Sequence, residues 1–597
     1  MATPVFGPML WHIGNTTVRT PYRLRHALLA LRDSPLHGNL CTREHEGAFA
    51  RLLHEQGVLN APRVEGGEDA SDLGRKWRSA LSQLGFLTPK LTRTLSSPVD
   101  PKLSVAVQGM SDLSGRPFEI TPNGHRLIES SSTTAQQECF LRALAVYRIP
   151  SPLETKYDPP SFSPLRFVLQ ILHALEAAAR IDPFLSFQEI AFFVERHTPS
   201  DDVQEIAWRI REYRDARDRH DGSVRTFDSQ FIANLLREEH QGICAETLET
   251  KRNTLNDYAD LIIRYLKATG LFKGKGRGIT LAPARVTLAN MLRESLFHEL
   301  EGISYLQALW AGAELPTDDR LAALTVIEDL TNQIRTRGGQ VEEMDTAAMD
   351  VAQLSIQRHQ LEDLILRMDE EAYADEQSEH IDEILAWLEG LLSRGTATLP
   401  TGERVTIPKG EAPAYLEWIV WRAFLAINSL RNKPWEARRF QIDQDFFPIG
   451  TAPGGGPDMV FEFENMNLVV EVTLTSSSRQ EAAEGEPVRR HVAKYAEEEL
   501  ESGKIVYGLF IAINIDTNTA HTFRSGDWYL PDDQKISLDI IPLRLEDFRA
   551  LLSSGKRSLP EMPQKIETFL MRCRARANQD APRWKTEISG IVGNLFF

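Results

Sequence analysis

Two carboxylates, Asp458 and Glu471, sit in the run Gly454-Gly-Gly-Pro457-Asp458-Met-Val-Phe-Glu-Phe-Glu-Asn-Met-Asn-Leu-Val-Val-Glu471-Val-Thr473-Leu474. A glycine-loosened entry, a short strand, a tight turn at Asn465 to Asn467 and a second strand account for that pattern. Apolar strands strengthen a sheet, whereas a carboxylate among them costs several kcal/mol unless it is paired or bound to a metal. Two such acids facing each other across a hairpin supply hard oxygen donors for Mg2+, which keeps its other positions for water and a substrate phosphate. On a phosphodiester, such a site activates water and shields the leaving oxygen.

The register decides whether the acids meet. A two-residue turn at Asn465-Met466 pairs Asp458 with Thr473 and puts Asp458 and Glu471 on one face, because side chains alternate along a strand. Phe461, Phe463, Val470 and Val472 then share the opposite, buried face. A three-residue turn separates the acids unless Asp458 lies in a bend outside the pleat. Taken singly, Asp458 is a turn residue after proline and Glu471 an edge-strand surface acid. Val469, Val470, Val472 and Leu474 mark an interior strand instead, which favours the site.

Downstream, in Glu484-Gly485-Glu486-Pro487-Val-Arg489-Arg490-His491-Val-Ala-Lys494, glycine and proline interrupt the chain and a basic helix begins. Glu486 stands at the helix entry and Glu484 two residues before it. Either could be a third ligand or orient the attacking water, and the sequence leaves both open. Arg489, Arg490, His491 and Lys494 could hold the scissile phosphate or the departing oxyanion; a basic solvent face is the alternative. Glu417, in Tyr415-Leu-Glu-Trp-Ile-Val-Trp-Arg422, is a further helix ligand beside the sheet, or else a surface residue or the partner of Arg422.

These side chains need a scaffold, and from Gly402 onward the pattern is α/β. A helix from about Glu411 to Leu430 precedes the hairpin. Lys504 to Ile515 and Leu538 to Leu543 read as buried strands, followed by a helix over Leu545 to Leu552. Upstream, residues 71–128 read as helix, strand, loop, strand, the order of a winged helix: Ser71 to Leu84, then Gly85-Phe-Leu-Thr-Pro, then Phe118 to Ile128. A second copy spans 254–284, with a helix from Leu255 and the glycine-spaced turn Lys273-Gly-Lys275-Gly-Arg277. Those cations could meet phosphate, although no Gly-Lys-Ser/Thr opens a helix as in a P-loop. Winged helices also serve as protein-interaction modules. Residues 320–395, rich in acids, read as a solvated helical linker.

A chain of 597 residues exceeds one core and suggests roughly four domains. Its 42% apolar and 25% charged residues are ordinary for a soluble protein. Cys41, Cys139, Cys244 and Cys573 are far apart, which excludes a zinc ribbon or disulfide scaffold and fits a reducing cytosol. The start, Met1 to Trp11, lacks the basic flank and apolar run of a signal peptide, and Trp418 to Ile427 is too short to span a bilayer. The net charge of −17 is unevenly spread. Residues 1–300 hold 37 Lys and Arg against 35 Asp and Glu, the remainder 30 against 49. The acidic half repels phosphates; the near-neutral half is free to grip DNA through a local field.

The hairpin resembles the core of the PD-(D/E)xK nucleases, with Thr473 where that family usually has lysine. The run Leu10-Trp11-His12-Ile13-Gly14-Asn15-Thr16-Thr17-Val18-Arg19-Thr-Pro21-Tyr22-Arg23-Leu-Arg25 looks like the opening motif of the AlwI-type family of type IIS restriction endonucleases. Glu471-Val-Thr473-Leu474 and Gly485-Glu486-Pro487-Val-Arg489-Arg490-His491 look like the motifs of its cleavage domain, so the resemblance spans nearly the whole chain. It implies a multi-domain protein: α-rich, winged-helix-like DNA-recognition subdomains at 1–135 and 136–295, a helical linker at 296–395, and an α/β cleavage domain at 396–597. It implies Mg2+-dependent cutting of double-stranded DNA a few base pairs from a short asymmetric site. Asp458 and Glu471 are then metal ligands, Glu417 a helix ligand, and Glu484 or Glu486 the acid replacing lysine; His491, from the basic segment, is a further catalytic candidate. Asn15, Arg19, Arg23 and Arg25 have donors suited to base edges or phosphates, while Trp11 and His12 pack. Cutting both strands needs a transient homodimer or a second nuclease subunit. The resemblance also implies a cognate methyltransferase and a bacterial cytoplasmic setting, with no membrane. The competing readings are a nicking enzyme, a DNA-binding protein with an inactive nuclease-like domain, and a nuclease acting on RNA or branched DNA.

Overall fold

The computed structural model describes residues 11–595 except 41, 60–63, 65, 89–118, 150–160, 180–182, 197–201, 240–241, 296–299, 301, 343–344, 394, 409, 477–478 and 501–502. The chain divides into two compact units, Met1–Ile365 and Leu366–Phe597, with the division inside the helix Val351–Glu376.

Among the described residues the first unit is helical apart from isolated bridges and a small antiparallel sheet of order β1-β3-β2, made by β1 (Phe184–Leu185), β2 (Phe272–Lys275) and β3 (Gly278–Leu281). The second helix–hairpin pattern read from the sequence forms: a helix over Ala245–Ala268 leads into β2, and Gly276 turns the hairpin at a φ of +58°, where glycine is favoured. The first pattern is different. Leu87 and Ile120 make only a single bridge, and the segment read as a strand ends in helix α1 (Pro122–Glu129). Thr121 Oγ1 accepts from Gly124 N at 3.0 Å, and Pro122 stands in the first turn, where its fixed φ suits a helix. Capping chemistry outweighs the strand-like apolar spacing. The intervening 89–118, with Phe118, lies outside the described residues, as do Leu10 and Cys41; Cys139, Cys244 and Cys573 are free thiols.

The acid-rich stretch is helical over Arg320–Thr336, Val351–Glu376 and Ile381–Leu392, but it is not simply solvated. In the first unit Arg358 is buried between Glu138 and Glu362. In the second, Glu370 is 1% exposed and takes Arg438 in a two-pronged pair at 2.7 and 2.8 Å. Buried guanidiniums demand buried acids, and the sequence's charge count hides that pairing.

The second unit carries two peripheral hairpins, β4 (Thr396–Thr398) with β5 (Arg404–Thr406), and β9 (Asp527–Tyr529) with β10 (Lys535–Ser537). Its centre is a four-stranded sheet of order β11-β8-β7-β6: β6 (Met459–Glu462), β7 (Met466–Thr473), β8 (Ile505–Ala512) and β11 (Asp539–Arg544). β7, β8 and β11 are parallel, and β6 closes one edge antiparallel. Val469, Val470, Phe510, Ile511 and Ile541 are buried, as expected of strands covered on both faces. Helix α2 (Ala412–Leu425) packs on β6 and β7, and helix α3 (Gln480–Glu498) on β7 and β8. Gly508 admits α3: a Cβ there would lie 2.8 Å from Val492 and 2.9 Å from Ile540. Among the described residues no helix is long and apolar enough to cross a membrane.

Candidate active site

The hairpin closes one residue earlier than the sequence suggested. Phe463 N donates to Met466 O at 2.8 Å, so the turn is Glu464-Asn465, and Met459 faces Val470. Relative to the predicted register this is a slip of two residues, which changes partners but preserves faces. Asp458, in a bend just before β6, therefore stands opposite Glu471 and not Thr473. Its carboxylate accepts from Val472 N at 2.8 Å, which ties the bend to the central strand. Asp458 and Glu471 also hydrogen-bond each other through their side chains.

Helix α3 brings the next groups. It does not start at Glu486, as predicted, but runs from Gln480 straight through Pro487. An interior proline costs roughly 3 kcal/mol. Tertiary anchoring offsets it: Gln480 is fully buried and donates to the carbonyls of Thr475 (2.6 Å) and Asn514 (2.9 Å). With the helix started one and a half turns earlier, Glu484 and His491 are seven residues apart and share a face. Glu484 takes a hydrogen bond from the Thr473 hydroxyl. His491 Nδ1 lies 2.5 Å from Glu471 Oε1, and its Nε2 is buried with no hydrogen-bond partner. Glu486, the other acid left open by the sequence, is exposed and paired with Arg490 at 3.0 Å. Arg489 packs on Trp528 and donates to the Asp527 carbonyl, while Lys494 pairs with Glu498 at the surface.

Glu417 completes the cluster from α2. It is 5% exposed and accepts from Ala452 N at 2.7 Å. Arg422 is not its partner; that guanidinium binds Gln377 and Glu383. Burial, and then Asp458, hold Glu417 well above the usual carboxylate range. Burial and Glu471 do the same to Asp458. Burial and Glu484 push Glu471 up to about 8, and burial raises Glu484. His491 is pulled down by burial and by Arg490 and Arg439, which keeps the imidazole neutral. Four acids that resist ionising, drawn from two helices and a hairpin, oppose folding at neutral pH and point to chemistry. Arg439, which the sequence pattern did not single out, bears on this cluster: its backbone N–H donates to Asp458 O at 3.2 Å and its Nη1 to Pro457 O at 3.0 Å. It lies in an irregular segment with no periodic signal to mark it.

The family model for the AlwI restriction endonuclease matches residues 82–551, which includes the whole cluster. The chain belongs to the AlwI restriction endonuclease family. It is accordingly a type II restriction endonuclease, a site-specific deoxyribonuclease with DNA as its partner. Among solved structures it is similar to the small subunit (R.BspD6I2) of the heterodimeric restriction endonuclease R.BspD6I, at 23% identity and a TM-score of 0.27 over 36% of this chain and 97% of that one. It is also similar to the BpuJ1 endonuclease binding domain in complex with pyrene- and phenanthrene-modified DNA, at 13% identity and a TM-score of 0.28 over 51% and 99%. No curated protein matches the chain.

For this AlwI-family site, the donor chemistry fits a hard divalent cation: Glu417, Asp458, Glu471 and Glu484 offer only carboxylate oxygens. Among the described residues no group of three or more His, Cys, Asp or Glu side chains is arranged to hold a metal ion as it stands; Asp458 and Glu471 hydrogen-bond each other, and Glu417 accepts from the Ala452 backbone. In the first unit the N-terminal motif is engaged within the fold. Trp11 and Ile13 are fully buried, and His12 meets the Tyr258 ring edge-on at 4.9 Å. Asn15 Oδ1 accepts from Thr17 N at 3.0 Å, and Arg19 pairs with Asp257 and Asp260. Arg23 donates to Val58 O, and Arg25 to Leu127 O and Ile128 O at the end of α1. These partners give the four residues structural work within the fold. Lys275 and Arg277, by contrast, are exposed at the β2–β3 turn and lie over the Phe184 and Phe187 rings, with Lys273 half-buried beside them.

Proposed function

We propose that this AlwI-family member is a type IIS endonuclease with a PD-(D/E)xK-class cleavage site and winged-helix-like recognition elements. It reads a short asymmetric duplex sequence and hydrolyses one phosphodiester a few base pairs outside it, with Mg2+. The observation that carries the reading is the convergence of Glu417, Asp458, Glu471 and Glu484, with His491 against Glu471.

Mg2+ held by these carboxylates supplies Lewis-acid stabilisation of charge on water and phosphate oxygens. The chain's own residues do the rest. The Val472 N–H aims Asp458, and His491 braces Glu471. The Thr473 hydroxyl positions Glu484, so the residue standing where lysine was expected holds the acid that replaces it. Glu484 accepts a proton from the attacking water while a new O–P bond forms and a P–O ester bond breaks. The leaving oxygen then takes a proton from solvent. The exposed cations of the β2–β3 turn support phosphate contact.

One such centre cuts one strand. A transient homodimer or a second nuclease subunit completes a double-strand break, and without one the product is a nick. A cognate methyltransferase and a bacterial cytoplasm belong to the same proposal. The inactive alternative is disfavoured because it leaves the buried Glu417 and Glu471, with the partly buried Asp458 and Glu484 beside them, as pure cost. Purified protein incubated with plasmid and Mg2+ should give discrete fragments or nicks at a fixed offset from one sequence. No discrete ends at any protein concentration would overturn the reading, and undiminished cutting by Asp458→Ala would rule out the site.

A further inference from the structure

We infer that Arg439 is a catalytic residue of this endonuclease, its guanidinium donating hydrogen bonds to a non-bridging oxygen of the scissile phosphate. The inference rests on the cleavage site proposed above. A cluster of four acids offers a phosphodiester no donor of positive charge, and the strand position where a lysine was expected carries Thr473 instead. Beside the cation those carboxylates would hold, a fixed side-chain donor would stabilise the charge that develops on the phosphate oxygens.

Arg439 is placed for that task. Arg438 bridges antiparallel to Met459, so Arg439 follows directly alongside Asp458 and is held there by its N–H to Asp458 O at 3.2 Å. Its side chain folds back over Pro457, with Nη1 donating to that carbonyl at 3.0 Å. Gly456 makes the fold-back possible, because a Cβ at 456 would come within 2.5 Å of Nη1. The charge so placed bears on Glu417, Glu471 and His491 together, three groups from three different elements.

The guanidinium is also uncommitted. Arg438, one residue earlier, is neutralised by Glu370. Arg439 makes no ion pair with any carboxylate among the described residues; its one side-chain hydrogen bond is to a neutral carbonyl. An arginine has five N–H donors in a planar fork suited to phosphate. A cation set among acids, fixed by a carbonyl and not neutralised by its neighbours, is pre-organised for an incoming anion.

The test uses the full-length protein with plasmid DNA, comparing Arg439→Ala, Arg439→Lys and Gly456→Ala with wild type. Cleavage rates are read at saturating DNA, affinity by gel shift with Ca2+ in place of Mg2+, and folding by thermal melting. Arg439→Ala should cut roughly 10²–10³-fold more slowly, with DNA affinity within about threefold and melting unchanged, and added guanidinium should restore part of the rate. Cutting by Arg439→Ala at the wild-type rate overturns the assignment. If that variant melts early, the other two decide. Slowed cutting with wild-type melting supports the inference, and wild-type rates from both overturn it. A wild-type protein that makes no cut at all would instead sink the endonuclease reading itself.

Discussion

His491 Nδ1 and Glu471 Oε1 lie 2.5 Å apart, joining helix α3 to the central strand β7 at the acid that faces Asp458. The pair holds the strand carboxylate in one orientation and leaves Nε2, buried and without a partner, on the far side of the ring. Burial and two arginines lower the imidazole's pKa, which suits the brace proposed for it more than a charged partner.

Replacing that histidine should therefore affect chemistry more than binding. His491→Ala is expected to cut roughly 10²-fold more slowly, within the range usual for a positioned acid–base group. DNA affinity measured with Ca2+ should stay near wild type. Wild-type cutting by the variant would remove His491 from the site.

The two candidate acids on α3 separate cleanly. Glu484 is turned toward Thr473 and Glu471 and has its ionisation suppressed by burial, whereas Glu486 is spent on an exposed pair with Arg490. Exposed i, i+4 pairs contribute roughly 0.3–0.5 kcal/mol. Glu486→Ala should keep cutting within about twofold of wild type for that reason. Glu484→Ala should lose activity by roughly the 10²–10⁴-fold typical of a positioned acid–base group. The reverse order of effects would mean that the other face of α3 carries the chemistry.

How much of this was legible depended on parity and on anchoring. The hairpin's faces were readable because alternation has a period of two, so misplacing the turn by one residue at each strand still left Asp458 and Glu471 together. The choice between Glu484 and Glu486 was not readable, because Pro487 looks like a helix start while the true start is set by Gln480 reaching the Thr475 and Asn514 carbonyls. Glu417 was visible as a lone acid in an apolar helix. Arg439 was invisible, since its placement comes from a bridge between an irregular segment and the entry to β6. For the N-terminal arginines the sequence shows the donors but not their partners, which in the fold are carbonyls and acids.

Those partners predict a split between stability and binding. Arg25→Ala strips two carbonyls at the end of α1 of their donors. It should cost about 1–3 kcal/mol in denaturant unfolding while leaving sequence preference intact. Lys275→Ala with Arg277→Ala should leave stability nearly unchanged, weaken DNA binding, and lower the salt slope of affinity by roughly one for each phosphate that these cations neutralise. A salt slope equal to wild type would take the β2–β3 turn off the DNA surface.

The acids of the proposed site should make the fold pH-sensitive, in a direction opposite to most carboxylates. Glu471 ionises at about 8 in the folded chain against an ordinary value of 4.5. Between those two values the unfolded chain has released a proton that the folded chain still holds. Stability is therefore fully present below 4.5 and is lost as pH rises through about 8. Linkage for one such group, discounted for its coupling to Asp458 and Glu484, amounts to roughly 2–4 kcal/mol. Glu471→Gln removes that penalty while keeping an amide that hydrogen-bonds His491. In EDTA at alkaline pH the variant should melt higher than wild type by roughly 5 °C or more, although it no longer cuts DNA. The gap should close in acid, where the wild-type carboxyl keeps its proton in both states. If instead wild type melts at the same temperature across this range, or the variant gains nothing at alkaline pH, then Glu471 ionises freely in the fold and the crowding of acids around it is weaker than the geometry implies.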